Sequence, residues 1–577
     1  MNKTEKIICI LLGGVLAWYL FTQKPAQRQS AAEVEPAAAK QEAPAPQSAA
    51  PAAHDAVASA PPKAADAVEA AVEALPTVPE KIYTLENDDL KLDVSSWGAV
   101  VKKAVLKKYA RDEGELGEKN PPVEFSFASS PLGALGGKIQ PFDLESQSSN
   151  TLSFASGGVK RKVTLGENYL VTFEDSIPGS SKTTLSLGEM KMGASKNDLL
   201  SVDSWLLDDK GGKVIHHCEG DSPLKGYLAG GVAGGCSGSK NAAGLPDSAT
   251  IAYPGRQTWV ALKNRFFVTA LVSTTAINNG FTANVGRDLT SSVYRPDCVS
   301  ARVSIDATGL DTIKSIFFVG PKKQSLLWDL GMKDVMEFGM WRWICYPILW
   351  VLNVFNDLIP NYGVAIILLT ILVRLVFWPL THKSTVGMKK MQEIQPLMKK
   401  LQEQYKDNPQ RLQQETFALY REHKVNPMSS CLPMLIQIPV FIALFNVLRS
   451  AVELRYAPFL WIGDLSQPEG LFSSWFPFGG LNILPILMAL TMGLQSALTP
   501  SAGDKNQQKM MTVFMPVMML VMFYSFPSAL SLYWTLSQAV SIVQMWLIKR
   551  ATEAQRAAAG GVEVLDPIET RQMRRHS

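Results

Sequence analysis

A charged residue inside an apolar run is the first place where this sequence could do chemistry. The stretch "NYGVAIILLTILVRLVFWPLTHKSTVGMKKMQEIQP" starts at Asn361, and its first twenty residues are long enough to cross a bilayer, with Arg374 well inside them. An arginine at the centre of such a helix costs roughly 2.5–3.5 kcal/mol on insertion scales, so something has to match it. Other polar side chains punctuate the later apolar runs: Gln437, then Thr491 and Gln495, then Gln538, Ser541 and Gln544. Thr370 stands one turn before Arg374 on the same helical face. Hydrocarbon gives such groups no hydrogen bond, so they are expected to face one another or water. Their similar depth suggests a wet groove that opens toward one side of a membrane and is closed on the other. No carboxylate within the runs is placed to pair with Arg374, and an unpaired arginine in such a concavity attracts acidic peptide segments. The plainer alternatives are that Arg374 snorkels to the headgroups and that Gln437 makes an interhelical hydrogen bond.

Other chemistry is thin. The cysteines are Cys9, Cys218, Cys236, Cys298, Cys345 and Cys431, with no CxxC or CxxH pair, so no zinc, redox or cofactor site is expected. Cys218 and Cys236 are candidates for a disulfide if their domain is periplasmic. His216 and His217 in "HHCEG" have no further ligands spaced to complete a metal site and read as an ordinary loop. A phosphate loop ending in Gly-Lys-Ser/Thr is lacking, and the net charge of +4 is too small to imply nucleic acid. No bond-making machinery emerges, so the chain is not expected to be an enzyme.

The elements that would position these residues fall into distinct regions. "MNKTEKIICILLGGVLAWYLFTQK" (1–24) reads as an uncleaved transmembrane anchor with a cytoplasmic N-terminus. Residues 25–80, rich in Ala, Pro and Glu, lack the residues needed for a core and read as a disordered spacer. From 81 to 320 the period switches to two, as in "KRKVTLG", "YLVTFED" and "ARVSIDA", which predicts a large antiparallel β-sandwich with a glycine-rich loop around "GYLAGGVAGGCSGSK". Residues 321–360 carry Leu326, Leu327, Leu330 and Met332 among charges and then Trp341, Trp343, Tyr346 and Trp350, which predicts amphipathic helices at the membrane surface, with Pro347 opposing a straight span. Spans are expected near 361–381, 430–449, 482–499, 511–526 and 528–548, which with the anchor makes six.

Lysines and arginines crowd 382–430, whereas 450–481 holds only Arg455, so the positive-inside rule puts 382–430 in the cytoplasm. Counting crossings from there places the sandwich outside, in the periplasm, and both "TPSAGDKNQQK" and the tail 550–577 inside. Within 383–427, Met388, Met391, Ile394, Met398, Leu401 and Tyr405 form one stripe, Pro396 should kink it, and Asn408-Pro409 opens a second helix, giving a helical hairpin. Met510, Met511, Met515, Met518, Met519 and Met522 concentrate in one run; methionine recurs on adaptable binding surfaces and also fills gaps in cores.

These same stretches resemble the YidC-type membrane protein insertases in their Gram-negative form. "IILLTILVRLVFWPLTHKSTVGMKKMQEIQP", "LYREHKVNPMSSCLPMLIQIPVFIALF", "VELRYAPFLWIGDLS", "ILPILMALTMGLQ" and "FMPVMMLVMFYSFPSALSLYW" match in order across about 360–548. The resemblance implies a five-helix insertase core plus anchor, a periplasmic β-supersandwich, and activity in inserting and folding inner-membrane proteins. It implies a hydrophilic groove with Arg374, Thr370 and Gln437, and substrate contacts on 430–449 and 511–526, here Ile438, Phe441, Phe445, Met515, Met518, Met519 and Met522. The family's aromatic pair in the last span is Tyr533 and Trp534, where members often have two tyrosines, which puts in doubt any role needing a second hydroxyl. The implied partners are nascent membrane proteins, lipid, the Sec translocon, the ribosome, and the signal recognition particle with its receptor. Two rival readings make different demands. A small-solute transporter needs internal repeats with broken helices at a midplane site, and a tethered periplasmic carbohydrate-binding protein needs its chemistry in 81–320.

Overall fold

The computed structural model describes residues 78–110, 122–136, 139–179, 182–191, 200–208, 211–217, 248–288, 295–423, 425, 432–472, 480–498 and 510–558. The expected anchor, nearly all of the spacer, the glycine-rich loop, Cys218, Cys236, "TPSAGDKNQQK" and the tail beyond Ala558 lie outside the described residues.

The period-two segments pair into two nine-stranded sheets, antiparallel throughout. One sheet runs from Ile82–Glu86 at one edge, through Lys182–Lys191 and Arg295–Asp306, to Ser248–Pro254 at the other. The second runs from Gly211–His216 through Arg256–Lys263, Thr312–Pro321 and Leu170–Ser176 to Asp143–Gln147. Alternate residues turn inward: in Leu170–Ser176 these are Val171, Phe173 and Asp175. The sheets approach closely at Gly133, where a Cβ would lie 2.4 Å from the Phe173 ring of the opposite sheet, and its φ of +77° suits glycine alone.

Beyond the sandwich come α1 (Gln324–Asp329), two short 3-10 turns, and α2 (Arg342–Leu358). Leu327 and Met332 are fully buried in the main core, and Leu326 and Leu330 of the same stripe are half-buried. α2 passes through Pro347 without ending, although that residue has no N–H to donate. Trp343 and Trp350 on it are exposed.

The remaining helices are α3 (Tyr362–Val376), α4 (Trp378–Glu393), α5 (Gln395–Gln404), α6 (Pro409–Glu422), α7 (Leu432–Ser450), α8 (Ile483–Leu498), α9 (Met515–Phe523) and α10 (Ser528–Ala558). Among the described residues no single helix is both long and apolar enough to cross a membrane; Tyr362–Val376 and Trp378–Met388 meet that test only as a pair bent by 61°. The unbroken span expected over 361–381 is therefore two helices. Pro379 explains the break, because it cannot donate to the Leu375 carbonyl. The run expected at 511–526 is one π turn, Met510–Phe514, that continues directly into α9, with Pro516 in the first turn of α9. α10 outruns its expected limit at 548 and continues to Ala558.

Pro396 separates α4 from α5, and Asn408 caps α6 by accepting the Arg411 N–H at 3.1 Å, as their types predict. Met391 and Ile394 from the first stripe bury against Val425, with Met398 and Tyr420 alongside. The sandwich touches the helical part through the tight turn before Phe267. Arg265 donates to the Arg449 carbonyl at 2.6 Å and to the Ser466 carbonyl at 2.9 Å, while Arg455 lies over the Phe266 ring at 5.0 Å.

Candidate functional site in the helical part

α10 organises the polar groups. Tyr533, Ser537, Ser541 and Gln544 follow one another at intervals of four, four and three, so they share a face, and all are buried. Three other helices meet that face. Gln437 of α7 donates its Nε2 to the Tyr533 hydroxyl at 3.3 Å. Arg374 of α3 donates Nε to the Ser537 hydroxyl at 3.0 Å and directs a terminal nitrogen to the same oxygen. Gln544 donates to the Thr381 hydroxyl of α4 at 2.8 Å. Ser541 donates to the Ser537 carbonyl at 3.0 Å within α10 itself.

Arg374 is half-buried, and the partner it finds is a hydroxyl. A serine satisfies the geometry of the guanidinium and leaves its charge intact. Sequence reasoning searched for a carboxylate and passed over Ser537. The signal was present, since Ser537 stands four residues after Tyr533 and four before Ser541.

The other expected groove residues divide. Thr370 is 1% exposed and its hydroxyl donates to the Ile366 carbonyl of its own helix at 2.7 Å, so it lines nothing open. Serine and threonine commonly bond back in this way on apolar helices, which satisfies the hydroxyl locally. Thr491 does the same toward Leu487 and Met488, with Gln495 one turn further along α8 and half-buried. Gln538 lies off the buried stripe. With Ser531 and Trp534 it marks a second face of α10, and the Gln538 Oε1, Ser531 Oγ and Trp534 Nε1 atoms are buried without a hydrogen-bond partner among the described residues. Such atoms are costly unless water or another chain meets them.

Of the residues expected to form an apolar wall, Ile438, Met518 and Met522 are exposed, and Met515 and Met519 are half-buried. Phe441 and Phe445 turn instead into an aromatic cluster: Phe441 meets Trp534 edge-on at 4.8 Å and Phe523 at 6.2 Å, and Phe445 packs on Phe526 at 5.7 Å. Their rings are thus held partly inside the bundle. The exposed face contains residues that sequence reasoning missed, Phe514, Val517 and Val521, which join Met518 and Met522 at helical spacing.

Residues 354–555 match the family model described as 60Kd inner membrane protein, and residues 239–351 match that of the YidC periplasmic domain. A membrane protein insertase YidC of Prosthecochloris aestuarii is 31% identical over 508 residues, 85% of each chain. The chain belongs to the YidC family of membrane protein insertases. The corresponding protein of Syntrophobacter fumaroxidans is 41% identical over 298 residues, and there the match spans about half of each chain, 51% of this one and 54% of that one. Among solved structures, an active YidC insertase with its first transmembrane domain resolved is 20% identical, with a TM-score of 0.34 covering 82% of this chain and 92% of that one. Members of the family are inner-membrane proteins, and the sandwich corresponds to their periplasmic domain.

That domain holds a polar cluster of its own. His216 is the last residue of a strand rather than part of a loop, which corrects the sequence expectation for it, and His217 begins the turn that follows. Register places His216 opposite Asp203, and the ring Nδ1 lies 3.1 Å from its carboxylate and 3.8 Å from that of Glu337. Asp203, His216 and Glu337 could together ligate a metal ion. The ammonium of Lys263, however, already contacts the Asp203 carboxylate and lies 2.7 Å from that of Glu337, so a buried cation balances both acids. The His216 pKa is raised by the bond to Asp203. Burial alone would raise the Glu337 pKa, but the charges of Lys263 and Lys322 outweigh it and hold the carboxyl down to about 2. Burial pushes the Lys322 amine down to about 8 and His217 down to about 4. The arrangement is a clasp of paired charges fastening a sheet edge to the segment that leads into α2.

Proposed function

We propose that this chain inserts and helps fold inner-membrane proteins by receiving a hydrophilic segment of the nascent chain beside Arg374. The observation that carries this reading is that Arg374, half-buried between α3 and α10, is hydrogen-bonded to a neutral hydroxyl and so keeps its positive charge. An acidic or strongly polar peptide segment finds a cation there. Gln437, Ser537, Ser541, Gln495 and Thr491 belong to the same polar zone, with Thr370 as packing behind it.

The apolar helix of the substrate passes over the exposed face of Ile438, Phe514, Val517, Met518, Val521 and Met522 into lipid. Each leucine-like side chain so buried contributes about 1.5–3 kcal/mol, and the membrane potential adds roughly 2.3 kcal/mol per acidic charge moved outward per 100 mV. No bond is made or broken.

In this reading the N-terminus, α4–α6 and the tail are cytoplasmic, and the sandwich and the segment 450–481 are periplasmic. The lysines and arginines of 382–430 support it, and so does the contact of Arg265 with Arg449 and Ser466, which puts sandwich and segment at one end of the bundle. α4–α6 are the surface offered to the ribosome or to the signal recognition particle and its receptor, and the Sec translocon is a further partner.

The test is insertion of a single-spanning substrate with an acidic outer tail into proteoliposomes. Arg374→Ala is expected to lose activity and Arg374→Lys to keep most of it. Full activity in the alanine variant would remove the electrostatic part of the reading.

A further inference from the structure

Two large apolar residues in the segment between α7 and α8 are held where the backbone disfavours them and where they stand exposed among the described residues. Leu460 has a φ of +53° and is 75% exposed; Phe472 has a φ of +54° and is 67% exposed. Left-handed backbone is uncommon for side chains of this kind, since Cβ crowds the following carbonyl. Exposure removes the burial that would normally offset that strain.

The local scaffold shows where they point. Phe459 and Ile462 exchange two backbone hydrogen bonds of 2.9 Å, which makes Leu460 and Trp461 the tip of a tight turn. Phe459 seats that turn on the start of α3, so closely that a Cβ on Gly363 would lie 2.1 Å from its ring. Trp461 donates its indole N–H to Glu469 at 2.8 Å, and Glu469 also accepts from Ile483 N at 3.0 Å at the start of α8. Phe472 follows directly on Leu471, which is bridged to Leu481 just before α8. The tips thus sit at the ends of α3 and α8 that face the periplasm in the orientation proposed above. From there the exposed surface continues down α8 as Leu487, Leu490, Leu494 and Leu498, at spacings of three, four and four.

We propose that Leu460, Trp461 and Phe472 form an anchor in the outer leaflet, inserting at the boundary of headgroups and acyl chains. Continuity with the leucine stripe of α8 selects lipid as the occupant. The half-exposed indole, apolar in body and with its N–H hydrogen-bonded to Glu469, matches the residue type that collects at this depth. The anchor fixes the height at which α3 begins, and so the depth of Arg374 in the bilayer. The inference rests on α8 crossing the membrane, and its test separates the two.

A benzophenone amino acid is placed singly at Leu460, Phe472, Leu490 and Leu207 of the full chain in vesicles of phosphatidylethanolamine and phosphatidylglycerol. Leu207 is an exposed residue of the sandwich and serves as the aqueous control. After irradiation, phospholipid adducts are counted by mass spectrometry. Adducts at 460 and 472 roughly tenfold above those at 207, and comparable to those at 490, are expected of side chains at the interface. Lipid adducts at 490 with none at 460 and 472 would overturn the anchor and leave the crossing of α8 intact. Loss of lipid adducts at 490 as well would overturn both. Adducts from 460 or 472 to a second protein chain would also overturn the anchor.

Discussion

Arg161 in the sandwich and Arg374 in the helical part are both wedged between packed elements, and they are met in opposite ways. Arg161 is fully buried, donates Nε to Asp175 at 2.5 Å and a terminal nitrogen to its other oxygen at 3.0 Å, and reaches the Gly98 carbonyl at 2.9 Å. Arg374 has the Ser537 hydroxyl and, among the described residues, no carboxylate partner. The same contrast holds more widely. In the sandwich Lys263 is clasped by Asp203 and Glu337, while the helical part joins Gln437 to Tyr533 and Gln544 to Thr381, all uncharged. A neutralised charge is structural: it specifies how sheets register and offers nothing to a visitor. A charge satisfied only in geometry still exerts a field, as the function proposed for Arg374 requires.

The largest test of this contrast removes the sandwich arginine. Arg161→Met strands Asp175 in the core and is expected to cost roughly 3–5 kcal/mol. Hydrogen exchange over 159–176 reads the loss directly, and a change below about 1 kcal/mol would mean that the pair is less buried in solution than its geometry implies. The next converts the helical arrangement into the sandwich type. Ser537→Asp gives Arg374 a counter-charge, so insertion should fall by about tenfold, near 1.4 kcal/mol, while thermal stability holds or rises. Unchanged insertion would show that the free charge is not what the substrate meets.

The smallest effect is a pH dependence confined to the sandwich. His216 is raised above its ordinary 6.5, so its contribution is complete below that value and is lost as pH rises through the raised one. Glu337, held down to about 2 from 4.5, contributes above 4.5 and loses its contribution as pH falls toward 2. The full chain should therefore resist thermal unfolding best between these limits. His216→Gln should flatten the decline on the alkaline side by about 1 kcal/mol or less. A decline of the same size in the glutamine variant would assign it to another group.

Much of this was legible in the sequence. Period-two alternation marks the strands, Asn408-Pro409 marks the start of α6, and the unusual placing of Arg374 and Gln437 marks the polar zone. The misses have a common origin. Thr370 looked like a groove residue because it is polar, yet its hydroxyl is satisfied within its own helix and it is buried, and sequence cannot tell which way a hydroxyl turns. Phe441 and Phe445 looked like an open wall because they are apolar, yet Trp534 and Phe523 arrive from other helices to take up their rings. Met518 and Met522 were found and their neighbours Val517 and Val521 were not, since composition singled out methionine while exposure follows the helical face.

The sequence by itself determined the class of each region, because apolar period and proline position act locally and are written into successive residues. Pro379 withholds a donor from the Leu375 carbonyl, and the helix bends there by 61°. Only the tertiary structure decided which polar groups meet. Arg374 and Ser537 stand 163 residues apart, as do Gln544 and Thr381, and His216 reaches Glu337 across an entire domain. Pairings at such separation depend on how helices and sheets pack against one another, and no local rule of spacing contains that information.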